Sequence, residues 1–196
     1  METLSTFTSF ISPVSRKLAR QWSKQQATPE KKQQVLLNSL SVSFVNFYLN
    51  CMGFETDIEA SDSWNSVQQT LMNVADLQIK NLGKLECLPV LENAQSIYVP
   101  PEVQSNRVGY VAVQISENLR EAKLLGFVKK ITKTSLHINQ LQPLEHLFYC
   151  LEECTQLTKV DLPSKGFVDL KVWLKNNFET AGNSIEQESS QEPRAK

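Results

Sequence analysis

The sequence predicts an α+β fold: N-terminal helices packed on a small antiparallel β-meander or partly closed barrel, followed by C-terminal helices. Three observations carry this. Apolar residues recur at three- and four-residue steps as far as Met52, the period falls toward two between Asp76 and Lys130, and helical spacing returns from Leu144. Helices, then strands, then helices is the order of an α+β domain rather than of alternating βαβ units.

Each element has a local reason. Ser12-Pro13 and Thr28-Pro29 are helix starts, a capping hydroxyl followed by proline at the first helical position. The first helix, from Val14 to Gln26, has a narrow apolar stripe of Val14, Leu18, Ala19 and Trp22, opposite Arg16, Lys17, Arg20 and Lys24. The second runs to Met52, stopped by Gly53; Leu37, Leu40, Phe44, Phe47 and Cys51 lie beside Val45, Tyr48 and Met52. Such a wide apolar face belongs to a helix packed in the centre of a domain. Ser61 or Ser63 is the expected cap of a short helix ending at Met72.

Strands are predicted over Asp76 to Lys80 and Lys84 to Leu91, joined by a turn at Asn81-Leu-Gly83. Others follow over Ser96 to Val99, which Pro100-Pro101 stops, Arg107 to Ile115, and Glu121 to Lys130. His137 falls in a linker. Leu144, Leu147, Phe148, Leu151 and Cys154 then keep helical spacing, and a shorter element covers Phe167 to Phe178. The expected organisation is a flexible N-terminal arm over 1–11, a single domain over 12–180 and a disordered polar tail over 181–196.

Of the 196 residues 41% are hydrophobic, enough for a self-sufficient core without metal or disulfide staples. Twenty Lys and Arg against 21 Asp and Glu leave a net charge of −1, which excludes a globally basic nucleic-acid binder. No apolar run approaches the roughly 18 residues of a spanning helix, so no membrane insertion is expected. The start, Met1-Glu-Thr-Leu, lacks a secretory signal. Cys51, Cys87, Cys150 and Cys154 are scattered, and they read as reduced, mostly buried thiols of a cytoplasmic protein.

Catalytic chemistry is not indicated. His146, Cys150 and Cys154 share a helix face, but the first and last stand about 12 Å apart at 1.5 Å per residue. Ligand bonds to zinc are about 2.0 to 2.3 Å, so the three do not grip one ion. No Cys-x-x-Cys occurs, six glycines build no phosphate-cradling loop, and neither His137 nor His146 adjoins a nucleophile motif. The expectation is no enzyme, no catalytic residue, no metal and no cofactor.

What stands out is acidic. Glu55, Asp57, Glu59, Asp62 and Asp76 fall between Phe54 and Leu77 without a Lys or Arg among them, and Trp64 sits in the middle. Such a stretch is either a solvated face or a negative surface for a basic partner, with Trp64 as its desolvated anchor. The first helix has a basic face but Trp22 as its only aromatic, so direct nucleic-acid binding is not expected.

The stretches Asn38-Ser-Leu-Ser-Val-Ser-Phe-Val-Asn-Phe-Tyr-Leu49, Ser61-Asp-Ser-Trp64, Val74-Ala-Asp-Leu77 and Gly83-Lys-Leu-Glu-Cys-Leu-Pro-Val90 occur together here. Arg107-Val-Gly-Tyr-Val-Ala-Val-Gln114, Glu121-Ala-Lys-Leu-Leu-Gly-Phe127 and Leu141-Gln-Pro-Leu-Glu145 follow in order. In this combination the chain resembles the cyanobacterial family called "domain of unknown function 1822", from about Val35 to Leu151. Val168-Asp-Leu-Lys-Val-Trp-Leu174 looks like the same family's Trp-Leu element. Members are similar to proteins encoded beside alternative sigma factors, and some look like the cognate anti-sigma partner. The resemblance therefore implies a non-enzymatic regulatory module that binds and masks a stress- or envelope-type sigma factor. Glu55, Asp57, Glu59, Asp62 and Trp64 are the expected contact residues. The alternative is a small-ligand or signal-sensing module. The zinc anti-sigma signature has two cysteines three apart after the histidine; Cys150 and Cys154 are four apart, so that fold is not expected.

Overall fold

A computed structural model of the chain describes residues 6–103 and 105–157. All lie in the first of two units into which the chain divides, Met1–Val160 and Asp161–Lys196. The predicted element at Phe167 to Phe178 and the polar tail fall outside the described residues. The fold is α+β. In chain order it comprises β1 (Phe7–Phe10), α1 (Pro13–Lys24), α2 (Pro29–Cys51), β2 (Thr56–Asp57), a 3₁₀ turn (Asp62–Trp64) and α3 (Ser66–Leu71). There follow β3 (Asp76–Ile79), β4 (Gly83–Leu91), β5 (Ser96–Tyr98), β6 (Gly109–Ile115), β7 (Glu121–Val128), β8 (Ser135–His137) and α4 (Glu145–Leu157).

Helix ends follow their local signals. Ser12 Oγ accepts the Ser15 N–H at 3.0 Å, and Thr28 Oγ1 accepts that of Lys31 at 3.2 Å. At the end of α2, Gly53 takes φ +85°, its N–H donates to Asn50 C=O, and the Phe54 N–H donates to Leu49 C=O. This is a Schellman stop, which requires the left-handed conformation that glycine adopts without strain. The start of α3 differs from expectation. Asn65 Oδ1 caps it, accepting from Val67 and Gln68 N–H. Ser61 and Ser63 are engaged elsewhere, because their hydroxyls bond β3 at Gln78 N–H and Asp76 C=O.

Two expectations about topology are corrected. The sheet is not an antiparallel meander. Its six strands run β1-β7-β6-β4-β3-β2, with β4 and β6 parallel and in register from Leu85↔Gly109 to Leu91↔Ile115. A parallel pair needs a long crossover, and Glu92 to Val108 supplies it. β5 leaves the main sheet inside that crossover and pairs with β8 in a separate two-stranded sheet. His137 thus ends a strand rather than sitting in a linker, and its Nδ1 accepts the Asn139 N–H. The flexible arm is also corrected from Phe7 onward. β1 pairs antiparallel with β7, Phe7 is buried, and its ring lies 5.8 Å from Phe44 and 4.9 Å from Tyr48. Aromatic burial and four strand pairings hold that segment against the domain.

β6 is buried at every position from Gly109 to Val113, as a central strand covered on both faces must be. Helix α2 packs against β4 and β6. A second cluster joins Leu88, Val90, Tyr110 and Ala112 of the main sheet to Ile97, Val99 and Leu136 around the small one. Leu40 is 0% and Phe44 2% exposed on α2. Truncating either to alanine is expected to cost about 2 to 5 kcal/mol. A wild-type denaturant midpoint for either variant would show that α2 is not the central helix.

Candidate functional site

Of the residues singled out in the acidic stretch, Trp64 lines a groove. It does so together with Phe10 at the end of β1, Val14 at the start of α1, Phe44 and Phe47 of α2, and Ile58. The groove encloses about 450 Å³. Phe10 is 74%, Val14 75% and Phe47 39% exposed, an unusual concentration of large apolar groups facing water. Trp64 itself is half-buried, with its ring edge-on to Trp22 at 4.6 Å and 89°.

The turn carrying Trp64 is held rigidly from behind. Asp76, 0% exposed, accepts the Asp62 N–H at 3.0 Å and the Ser63 N–H at 2.7 Å. Ser63 Oγ donates to Asp76 C=O, and Gln69 Nε2 donates to Ser63 C=O. A carboxylate receiving backbone N–H groups in a buried place is a strong, directional anchor. Asp76 is therefore a positioning group for the turn and not part of an exposed acidic face.

The acidic residues divide into two sets. Glu55 pairs with Lys80 at 2.7 Å, and that contact lowers the carboxyl pKa and raises that of the ammonium. Asp62 pairs with Lys84, which also lies 3.4 Å from Asp76. Burial opposes the Lys84 charge, but the two carboxylates win and hold its pKa above the ordinary value. Asp57 and Glu59 are exposed and flank the groove-lining Ile58 in sequence; Asp57 Oδ1 accepts the Ala60 N–H, and its charge adds to that of Glu55 in raising the Lys80 pKa. Of these residues Trp64 lines the groove, beside Ile58, while Glu55 and Asp62 pair with lysines of the β3–β4 hairpin. Counting charge only from Phe54 to Leu77 misses Lys80 and Lys84, which the hairpin folds back onto the stretch.

Glu86 went unnoticed in the sequence, although it is a charge inside the apolar run Leu85 to Val90. It is 1% exposed, accepts the Ala75 N–H at 2.6 Å and pairs with Arg107 Nε at 2.8 Å. Burial pushes its carboxyl up to about 7, with Arg107 pulling in the opposite direction. Burial likewise raises the Cys51, Cys87 and Cys150 thiols. Of the helix face His146, Cys150 and Cys154, His146 packs edge-on to Tyr149 at 6.2 Å and Cys150 Sγ contacts Val108 C=O at 3.5 Å. No helix among the described residues is long and apolar enough to cross a membrane.

No curated protein and no solved structure matches the chain. A family model does, over residues 10–191, a span that takes in both the groove and the Glu86–Arg107 pair. The chain belongs to the family described as "Protein of unknown function (DUF1822)".

Proposed function

We propose that the protein is a non-enzymatic, regulatory protein-binding module, and that its docking surface is the groove between α1 and α2. One observation carries this reading: Phe10, Val14 and Phe47 are exposed around a single groove that ends on the half-buried Trp64. Aromatic groups at a desolvated centre with charges at the rim are the anatomy of a protein-recognition site. Asp57 and Glu59, the exposed sequence neighbours of the groove-lining Ile58, favour a partner segment with an apolar face and flanking Lys or Arg, laid into the groove as an amphipathic helix. A sigma factor of the alternative, stress-responsive type is the first partner to test, since its DNA- and polymerase-facing regions are basic. Burial raises the Cys51, Cys87 and Cys150 thiols, which argues against these three as nucleophiles.

The test is binding of the full chain to such a sigma factor, followed by stopped flow at several salt concentrations. Trp64→Ala should weaken binding by at least about 2 kcal/mol, roughly thirtyfold. Phe10→Ser, at a position that contributes little to the core, should weaken it while leaving the melting temperature unchanged. Asp57→Lys with Glu59→Lys should slow association and flatten its dependence on salt. Binding that survives all three changes would remove the groove as the docking surface.

A further inference from the structure

The first half of α2 and the edge of β4 enclose a second cavity, of about 320 Å³, whose origin is a strand ladder stopped by a side chain. Cys87 N–H donates to Ala75 C=O at 2.7 Å. A continuing antiparallel pair would return the Ala75 N–H to Cys87 C=O. That N–H donates instead to Glu86 Oε1. The chain N-terminal to Ala75 departs from β4, and among the described residues β4 beyond Cys87 has β6 on one side and no strand on the other. Alternation along the strand puts Pro89 on the same edge as Cys87, and proline has no N–H to offer an incoming strand. The edge is closed to strand addition, and the space beside it suits a small molecule.

The walls are apolar: Leu37, Leu88 and Leu91, with Tyr98 at the mouth. The polar part mixes the amides of Gln33, Gln34, Asn38 and Asn73 with the carboxyls of Glu30 and Glu86. Asn38 is 5% exposed, and its Nδ2 donates to Asn73 Oδ1 at 3.1 Å and to Val74 C=O at 3.0 Å. These two acceptors fix the amide orientation, and no described donor reaches Oδ1. Glu86 lies on the same lining and Glu30 stands there from the first turn of α2, while no Lys or Arg lines the cavity. The nearest cations are already engaged, Arg107 with Glu86 and Lys31 with Gln34 Oε1 and Met72 C=O. A mostly apolar pocket with a few convergent polar groups is the usual form of a small-molecule site. Here Glu86 is already satisfied by the Ala75 N–H and Arg107, which leaves Asn38 Oδ1 and the Glu30 carboxylate to receive a donor.

We propose that this cavity binds a small primary amine, whose ammonium donates to Asn38 Oδ1 and whose carbon body packs between Leu37, Leu88 and Tyr98. The proposal goes beyond partner binding in the other groove, which uses the second half of α2, and either can fail alone.

Tyramine, with para-ethylphenol as its uncharged counterpart, tests it by protein-detected NMR titration of the full chain. Tyramine should give saturable shifts at the Asn38 side-chain amide, Leu37, Leu88 and Tyr98, and para-ethylphenol should bind at least about tenfold more weakly. Leu37→Trp, which fills the cavity from a half-buried position, should abolish the saturable shifts while the remaining spectrum stays folded. Glu30→Gln should weaken tyramine and leave para-ethylphenol unchanged. No saturable shift at millimolar tyramine, equal affinity for both probes, shifts confined to other surfaces, or unchanged binding by Leu37→Trp would each overturn the assignment.

Discussion

Glu86→Ala is expected to cost about 3 to 5 kcal/mol, among the largest effects of any single truncation in this domain. Two penalties combine. Arg107, whose side chain is 8% exposed, would be left as a buried charge with its carboxylate partner gone. The Ala75 N–H would lose its acceptor. Arg107→Ala should cost a similar amount, and the double variant clearly less than the sum, since removing both charges relieves the desolvation that each suffers alone. Chemical denaturation of the four proteins of this cycle measures the coupling. Additive costs, or a Glu86→Ala loss below about 1 kcal/mol, would mean that the pair is hydrated rather than buried.

The same carboxyl predicts a pH dependence. Burial raises its pKa in the folded chain from an ordinary value near 4.5 to about 7. Between these values the folded state binds more protons than the unfolded one, so stability falls as pH rises through that window. The contribution should be about 1 to 3 kcal/mol and should be missing from Glu86→Gln, which cannot ionise. Denaturant midpoints of both proteins at pH 5 and pH 7.5, compared as a difference, isolate it. A wild-type curve parallel to that of Glu86→Gln would show that Arg107 holds the carboxylate charged throughout.

What local sequence encodes was readable, and what depends on distant contacts was not. The starts at Ser12-Pro13 and Thr28-Pro29, the stop at Gly53, and the positions of β3, β4, β6 and β7 all follow from capping chemistry and apolar period. Strand neighbours do not. Sequence order suggested that β4, β5 and β6 lie side by side, whereas β4 and β6 pair in parallel and β5 pairs with β8. β1, Phe-Thr-Ser-Phe, is too short to show a period, and its place comes from Phe7 packing on Phe44 and Tyr48. At the groove, Trp64 was within reach of a linear reading. Phe10, Val14 and Phe47 were not, because exposure of an apolar residue is decided by what the rest of the fold leaves uncovered. Glu86 did leave a trace: a charge within Leu85 to Val90 implies a buried partner, and Arg107 on the approach to β6 is the one it finds.

Asp76→Ala should cost about 3 to 5 kcal/mol and should disturb the proposed partner site as well. Its carboxylate ties the backbone of Asp62 and Ser63 to β3, so its loss strands two N–H groups and takes one of two acidic partners from Lys84. Asp76→Asn keeps an oxygen for one of those N–H groups and should cost roughly half as much. The Asp76 carboxylate supplies two of the hydrogen bonds that tie the 3₁₀ turn to β3, beside those of the Ser61 and Ser63 hydroxyls, so without it the turn should loosen before the domain unfolds. In a Trp173→Phe background the fluorescence of Trp22 and Trp64, packed edge-on at 4.6 Å, reports this directly. For Asp76→Ala the fluorescence change should precede the loss of helical circular dichroism in denaturant, whereas in the parent the two transitions coincide. Coincident transitions together with a parent-like midpoint would show that Asp76 does not hold the turn. Loosened fluorescence with unchanged binding to the sigma-factor partner would separate the anchor from the docking surface, because a groove that needs Trp64 in place cannot keep its affinity when the turn beneath that ring is free to move.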